Sequence, residues 1–281
     1  MRLPPWHAHV DVWLLIAVLE GGYLWAIRRG GAEPVRRRQV LTFTAGVATI
    51  WIAADWPVHD LAERYLLSVH MTQHLLLSLV APPLLLLGTP AWLLRRLVAP
   101  RPINWVVRTF TRPLLAIVLF NLVIAVTHWP LVAEGMLEHH PWHFVGHAVL
   151  FGSATLMWWP VVSPLPEMPT LSPPAKMVYL FVQSLLPTIP ASFLTFGSTP
   201  VYAFYTHVPR IWGISVMTDQ LIAGLIMKLV GGAILWGVIS VVFFRWGALE
   251  ERGWDALAWH SVERDVRSGL RARGREELTP R

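Results

Sequence analysis

Residues 68–88 read SVHMTQHLLLSLVAPPLLLLG, a polar head on an apolar body long enough to cross a bilayer. His70 and His74 stand four residues apart in the head. On a helix that spacing puts both imidazoles on one face, one turn and about 6 Å apart along the axis. Ionisable groups at membrane depth are costly and face a bundle interior or a cavity. A pair on one face therefore asks for a shared ligand. The body carries Pro82-Pro83, whose ring nitrogens remove two backbone donors. Such a break is tolerated at membrane depth only where neighbours or water satisfy the freed carbonyls.

The composition around this stretch agrees. Of 281 residues, 54% are hydrophobic and only 14% charged, the balance of a polytopic membrane protein rather than a soluble domain. Sixteen Trp suit the interfacial belts. A net charge of +6 would suggest nucleic acid in a soluble chain. Here the Arg clusters lie in short loops between apolar runs, so a positive-inside bias on a lipid membrane explains them and no nucleic-acid partner is expected. The absence of cysteine excludes disulfides, thiolate metal sites and Fe–S clusters, leaving His, Met and carboxylates as ligands.

The expected fold class is all-α, a polytopic bundle of seven transmembrane helices. Their expected bounds are Val10–Ile27, Val40–Trp56, Tyr65–Gly88, Pro113–Trp129, Pro141–Pro160, Ala175–Phe196 and Ile214–Trp246. The first reads as a retained span, because Asp11 interrupts its apolar run and no small-residue cleavage site follows. Arg28, Arg29, Arg36, Arg37 and Arg38 lie between spans one and two, and Arg95, Arg96, Arg101, Arg108 and Arg112 between three and four. With the Arg-rich tail, these mark the cytoplasmic side, so the N-terminus is expected outside and the C-terminus inside. Residues 1–246 form the membrane domain, and 247–281 read as a cytoplasmic amphipathic helix with a basic tail.

That topology sorts the histidines. Eleven of the twelve fall on the outer side, with only His260 inside. His143 and His147 in span five repeat the spacing of His70 and His74 in span three, and each pair occupies the outer third of its span. Span seven brings Asp219, beside Gln220, to the same depth. A single histidine at a span end is ordinary interfacial chemistry. Two paired sets with an acid on a third helix are the pattern of a metal site, so His70, His74, His143, His147 and Asp219 are the candidate ligands. Imidazole suits copper, zinc, iron or nickel, and thioether suits Cu(I). Met71, Met136 and Met217 on this side favour copper, with another transition metal as the alternative. His139 and His140 can equally cap span five, and Lys228 can pair with Glu20 or snorkel.

The runs HMTQHLLLSLVAPPLLLLGTP, WHFVGHAVLFGSATLMWWP, QSLLPTIPASFLTF with PVYAFY, and DQLIAGLIMK occur in that order and together resemble the CtaG-type (caa3-type) cytochrome c oxidase assembly proteins. The resemblance covers roughly residues 10–246. It implies a multi-pass protein of the bacterial inner membrane and a non-enzymatic role in forming haem–copper oxidase, by delivering copper on the outer side. The implied partners are oxidase subunits and periplasmic copper chaperones. The family's motif residues carry over as the same four His and Asp219. Other classes compatible with paired histidines are a di-iron or haem redox enzyme and a copper-permeation protein. The di-iron enzyme is disfavoured by the outer placement and the scarcity of carboxylates, and permeation by the lack of an inverted repeat, while one haem held by these histidines stays open.

Overall fold

A computed structural model describes residues 4–30, 34–168 and 170–251, and among these every regular element is helical. In chain order they are α1 (Val10–Arg29), α2 (Arg37–Ala54), α3 (Val58–Arg64), α4 (Leu67–Gly88), α5 (Ala91–Val98) and α6 (Arg101–Phe110). There follow α7 (Pro113–Thr127), α8 (Pro130–Glu138), α9 (His140–Val162), α10 (Pro173–Phe196), α11 (Phe204–His207) and α12 (Val216–Glu251).

Five of them, α1, α4, α9, α10 and α12, are each long and apolar enough to cross a membrane. The expected second and fourth spans are bent pairs. α2 and α3 meet at 40° and α6 and α7 at 96°, so the number reaches seven only if each pair counts as one crossing. Proline accounts for both bends: Pro57 precedes α3 and Pro113 opens α7, where a fixed φ starts a helix but cannot continue one. The 15 residues of α7 extend about 22 Å, short of a typical ~30 Å hydrocarbon core. The stretch between spans three and four, expected as an Arg-rich loop, contains the amphipathic helices α5 and α6. Of the expected region 247–281, α12 takes residues up to Glu251, and the rest lies outside the described residues.

The centre of the bundle is α4 against α9. In the most apolar window of α4, 56% of residues are buried by protein, and in α9 50%, against 6% for α1. Leu79 and Leu86 of α4 meet Leu150, Met157 and Trp158 of α9, with Phe120 of α7 and Leu180 of α10 closing the core. The proline break in α4 explains part of this arrangement. Residues Leu76–Val80 widen into a π turn, and the Ala81 N–H donates to the Leu76 carbonyl five residues back. Pro82 has no N–H for the Ser78 carbonyl, and the indole N–H of Trp158 donates to it instead at 3.0 Å. The break is thus satisfied by a neighbouring helix. Gly88 permits the other close approach, since a Cβ there would run into the backbone of Phe43 on α2.

The two ends of the bundle are tied separately. At the Arg-rich end, Arg95 grips Glu167 through Nε–Oε1 at 2.7 Å and Nη2–Oε2 at 3.2 Å, joining the segment after α4 to the one after α9. This hydrogen-bonded pairing with Arg95 holds the Glu167 carboxyl below its ordinary range. At the opposite end, the Tyr202 hydroxyl donates to the His128 carbonyl at 3.0 Å and Tyr205 to that of Ala62 at 2.8 Å. Burial pushes both phenols above their ordinary value, so they remain donors. Lys228 does not reach Glu20: its Nζ lies 5.8 Å from the centre of the Phe196 ring, while Glu20 accepts from the Thr44 hydroxyl at 2.7 Å.

Candidate metal centre

The head of α4 is where the histidines converge, and Asp219 sets how that helix begins. The first turn of any helix leaves backbone N–H groups without intrahelical partners. Those of Leu67 and Ser68 donate to Asp219 Oδ2 at 2.8 Å and Oδ1 at 3.0 Å. Asp219 lies in the first turn of α12 and is only 1% exposed, so its charge sits on the positive end of α4. Both carboxylate oxygens are engaged there. Asp219, expected among the ligands, therefore braces the ligand-bearing helix and is not gathered with the imidazoles.

The four expected histidines do come together. The rings of His70 and His74 have centroids 4.4 Å apart, as do those of His143 and His147. Between the helices, His70 lies 5.4 Å from His143, and His74 lies 5.0 Å from His147. One nitrogen each from His70, His74 and His147 fall within 4.8 Å of one another. Two nitrogens on one tetrahedral ion at ~2.0–2.1 Å would be about 3.4 Å apart, so closure needs shifts of no more than about 1 Å.

A fifth histidine completes the group. His128, at the C-terminal end of α7, is buried with its ring 5.3 Å from that of His74. In the sequence it is a lone outer-side histidine with no partner four residues away, so only its depth hinted at a role. Its Nδ1 lies 2.9 Å from the Ile124 carbonyl. A carbonyl can only accept, which puts the proton on Nδ1 and leaves the Nε2 lone pair free. His143 is set the same way by a carboxylate, its Nδ1 lying 2.5 Å from Glu63 Oε1. Such oriented imidazoles, with one nitrogen tied back and the other presented, are the usual form of a metal-ligating histidine. Glu63 was not legible as a partner, because it lies on α3 and reaches His143 only across the fold.

The nitrogens have nowhere else to bond. His70 Nδ1, both nitrogens of His74, and Nε2 of His128, His143 and His147 are buried without a hydrogen-bond partner. Each buried polar atom left unpaired costs about 1–3 kcal/mol, so six in one place are a strong demand for a ligand. A cavity of about 20 Å³, the size of one water or one ion, is lined by His70, His74, His128 and His143. Met71 and Met136 line it as well, so two thioethers join the imidazoles. A second cavity of about 40 Å³ continues deeper from Met71, His74 and His128 to Ser78, Gln183 and Met227. His139 and His207 are exposed and stand apart from the group, and Met217 lines neither cavity.

With that geometry in place, comparison with known proteins adds the following. The profile of the family described as cytochrome c oxidase caa3 assembly factor (Caa3_CtaG) matches residues 21–248. An uncharacterized protein of Mycobacterium bovis and another of Mycobacterium tuberculosis are each 26% identical over 238 residues. Those alignments take in 78% of this chain but 34% of each relative, so the chain spans about a third of the length of the curated relatives it matches. No solved structure matches the chain.

Proposed function

Because the chain belongs to the cytochrome c oxidase caa3 assembly factor family, we propose that it handles copper for the oxidase, holding the ion in the five-histidine cluster and releasing it to an oxidase subunit. What supports the reading is the set of six buried, unpartnered imidazole nitrogens beside an ion-sized cavity that four of the five histidines line. A donor set of neutral imidazoles with Met71 and Met136 beside them suits Cu(I) better than harder cations. The carboxylate that meets the cluster, Glu63, already faces His59 and His143, which suits a ferry for copper better than a carboxylate-bridged di-iron enzyme.

In this reading the protein is a multi-pass component of the bacterial inner membrane, with the histidine end outward and the Arg-rich end cytoplasmic. Copper arrives from a periplasmic donor, exchanges onto His70, His74 and His147, and leaves by the same ligand exchange. His143 and His128 present Nε2 to it, and Asp219 keeps the N-terminus of α4 in register. The deeper cavity favours one second reading, passage of the ion toward the membrane interior through Met71 and Met227.

The test is elemental analysis of detergent-purified protein after reductive copper loading. Wild type should hold copper and the His70→Ala/His143→Ala variant should hold less of it. In cells, His74→Ala should lower oxidase copper content while the protein remains in the membrane. Copper undiminished in the double variant, or normal oxidase loading with His74→Ala, would sink the reading. Copper accumulating in the cytoplasm, lost on Met227→Leu, would favour passage.

A further inference from the structure

Four of the five clustered histidines, His70, His74, His128 and His143, are less than a tenth exposed, and His147 is partly buried. An ion stripped of water cannot cross protein without ligands at each step, so a way in must itself be built of ligands. One line of such groups leads from the surface to His143. His7, 45% exposed, has Nδ1 3.4 Å from Asp60 Oδ1. Asp60 Oδ2 is 2.9 Å from His9 Nε2, and the His9 ring stands 4.9 Å from that of His59. His59 Nε2 is 3.2 Å from Glu63 Oε1, the same oxygen that meets His143.

We infer that His7, His9 and His59, with Asp60 and Glu63, form an outer metal-acquisition station that receives the ion and passes it through Glu63 and His143 to the buried cluster. The inference rests on the copper-handling reading above. The step lengths match ligand exchange, because two ligands on one ion stand about 3–4 Å apart. Four of the five steps run 2.5–3.4 Å between ligand atoms, and the His9 and His59 rings adjoin at 4.9 Å between centres. The chemistry matches too. Two carboxylates and three imidazoles in a half-open setting attract and partly dehydrate a cation. Arg64, whose Nε is 3.6 Å from Asp60 Oδ1, offsets one of the two negative charges. Asp60 is 1% exposed, and its Oδ1 makes no hydrogen bond, only the longer ion pairs to His7 and Arg64. A buried acid so incompletely satisfied has capacity for a ligand. The ion keeps its oxidation state throughout, and each step breaks one metal–ligand bond as the next forms.

The test uses the full chain in detergent and Cu(I) supplied as its coloured bicinchoninate complex, whose fading reports transfer. His9→Gln/His59→Gln keeps hydrogen-bonding groups beside Asp60 and Glu63, and a melting curve checks that it folds. Wild type should take up one ion more than this variant, and the variant should fill its remaining site at least tenfold more slowly. The variant with the inner cluster broken, His70→Ala/His147→Ala, should still take up an ion at the outer station. A His9→Gln/His59→Gln variant that takes up as much copper as wild type, at the same rate, overturns the outer station and leaves the inner copper site standing. No uptake by wild type itself overturns both.

Discussion

Replacing Asp219 with Asn separates a brace from a ligand. Asp219 accepts two backbone N–H groups, from Leu67 and Ser68, in a place only 1% exposed. Asn is nearly isosteric, but its amide has one acceptor oxygen, and its NH2 group would face a second donor. At least one N–H is left buried and unpaired, at about 1–3 kcal/mol, and the surviving bond loses its charge assistance, worth about another 1 kcal/mol. The sum is about 2–4 kcal/mol. For a chain of this size, 1 kcal/mol shifts the thermal midpoint by roughly 2–4 °C, so Asp219→Asn should melt about 4–16 °C lower. Copper bound per folded protein should be unchanged, because Asp219 is not among the clustered nitrogens. The assay pairs a thermal-shift curve with elemental analysis of the monodisperse fraction below the melting point. An unchanged midpoint together with lost copper would refute the brace and restore Asp219 as a ligand.

Glu63→Gln removes the carboxylate that fixes the proton of His143 on Nδ1, and should weaken copper binding by about 10–100-fold, read by chelator competition. Trp158→Phe leaves the Ser78 carbonyl without its donor and should lower stability by about 1–3 kcal/mol with copper stoichiometry intact, since the indole meets α4 below the histidines. Arg95→Ala tests a pH dependence. Arg95 holds Glu167 below its ordinary value, so the pair's contribution is present above the usual ~4.3 of a free glutamate and lost as pH falls through the depressed value. The midpoint difference between wild type and Arg95→Ala should therefore be small at pH 7, because the pair is exposed, and fade as pH falls through that depressed value. A difference that grows on acidification would contradict the assignment.

Much of the molecule was legible from local pattern. Apolar runs of span length are read as membrane segments, and in a membrane a single segment satisfies its own backbone only as a helix, so the all-helical class follows from composition and period. The i,i+4 spacing of His70/His74 and of His143/His147 likewise determined that each pair shares a face, because helix geometry is local. Tertiary structure decided the rest. Whether two faces meet depends on how α4 and α9 pack, and that packing includes the Trp158 indole on the carbonyl freed by Pro82, a contact 80 residues apart in sequence. Asp219 had the right depth and chemistry for a ligand, yet the nearest unsatisfied groups were the N–H donors of another helix. His128 and Glu63 carried no spacing signal, because each reaches the site from an element of its own. A buried polar atom bonds to whatever the fold places within about 3 Å of it, and that neighbour is set by packing across the chain, not by the residues on either side.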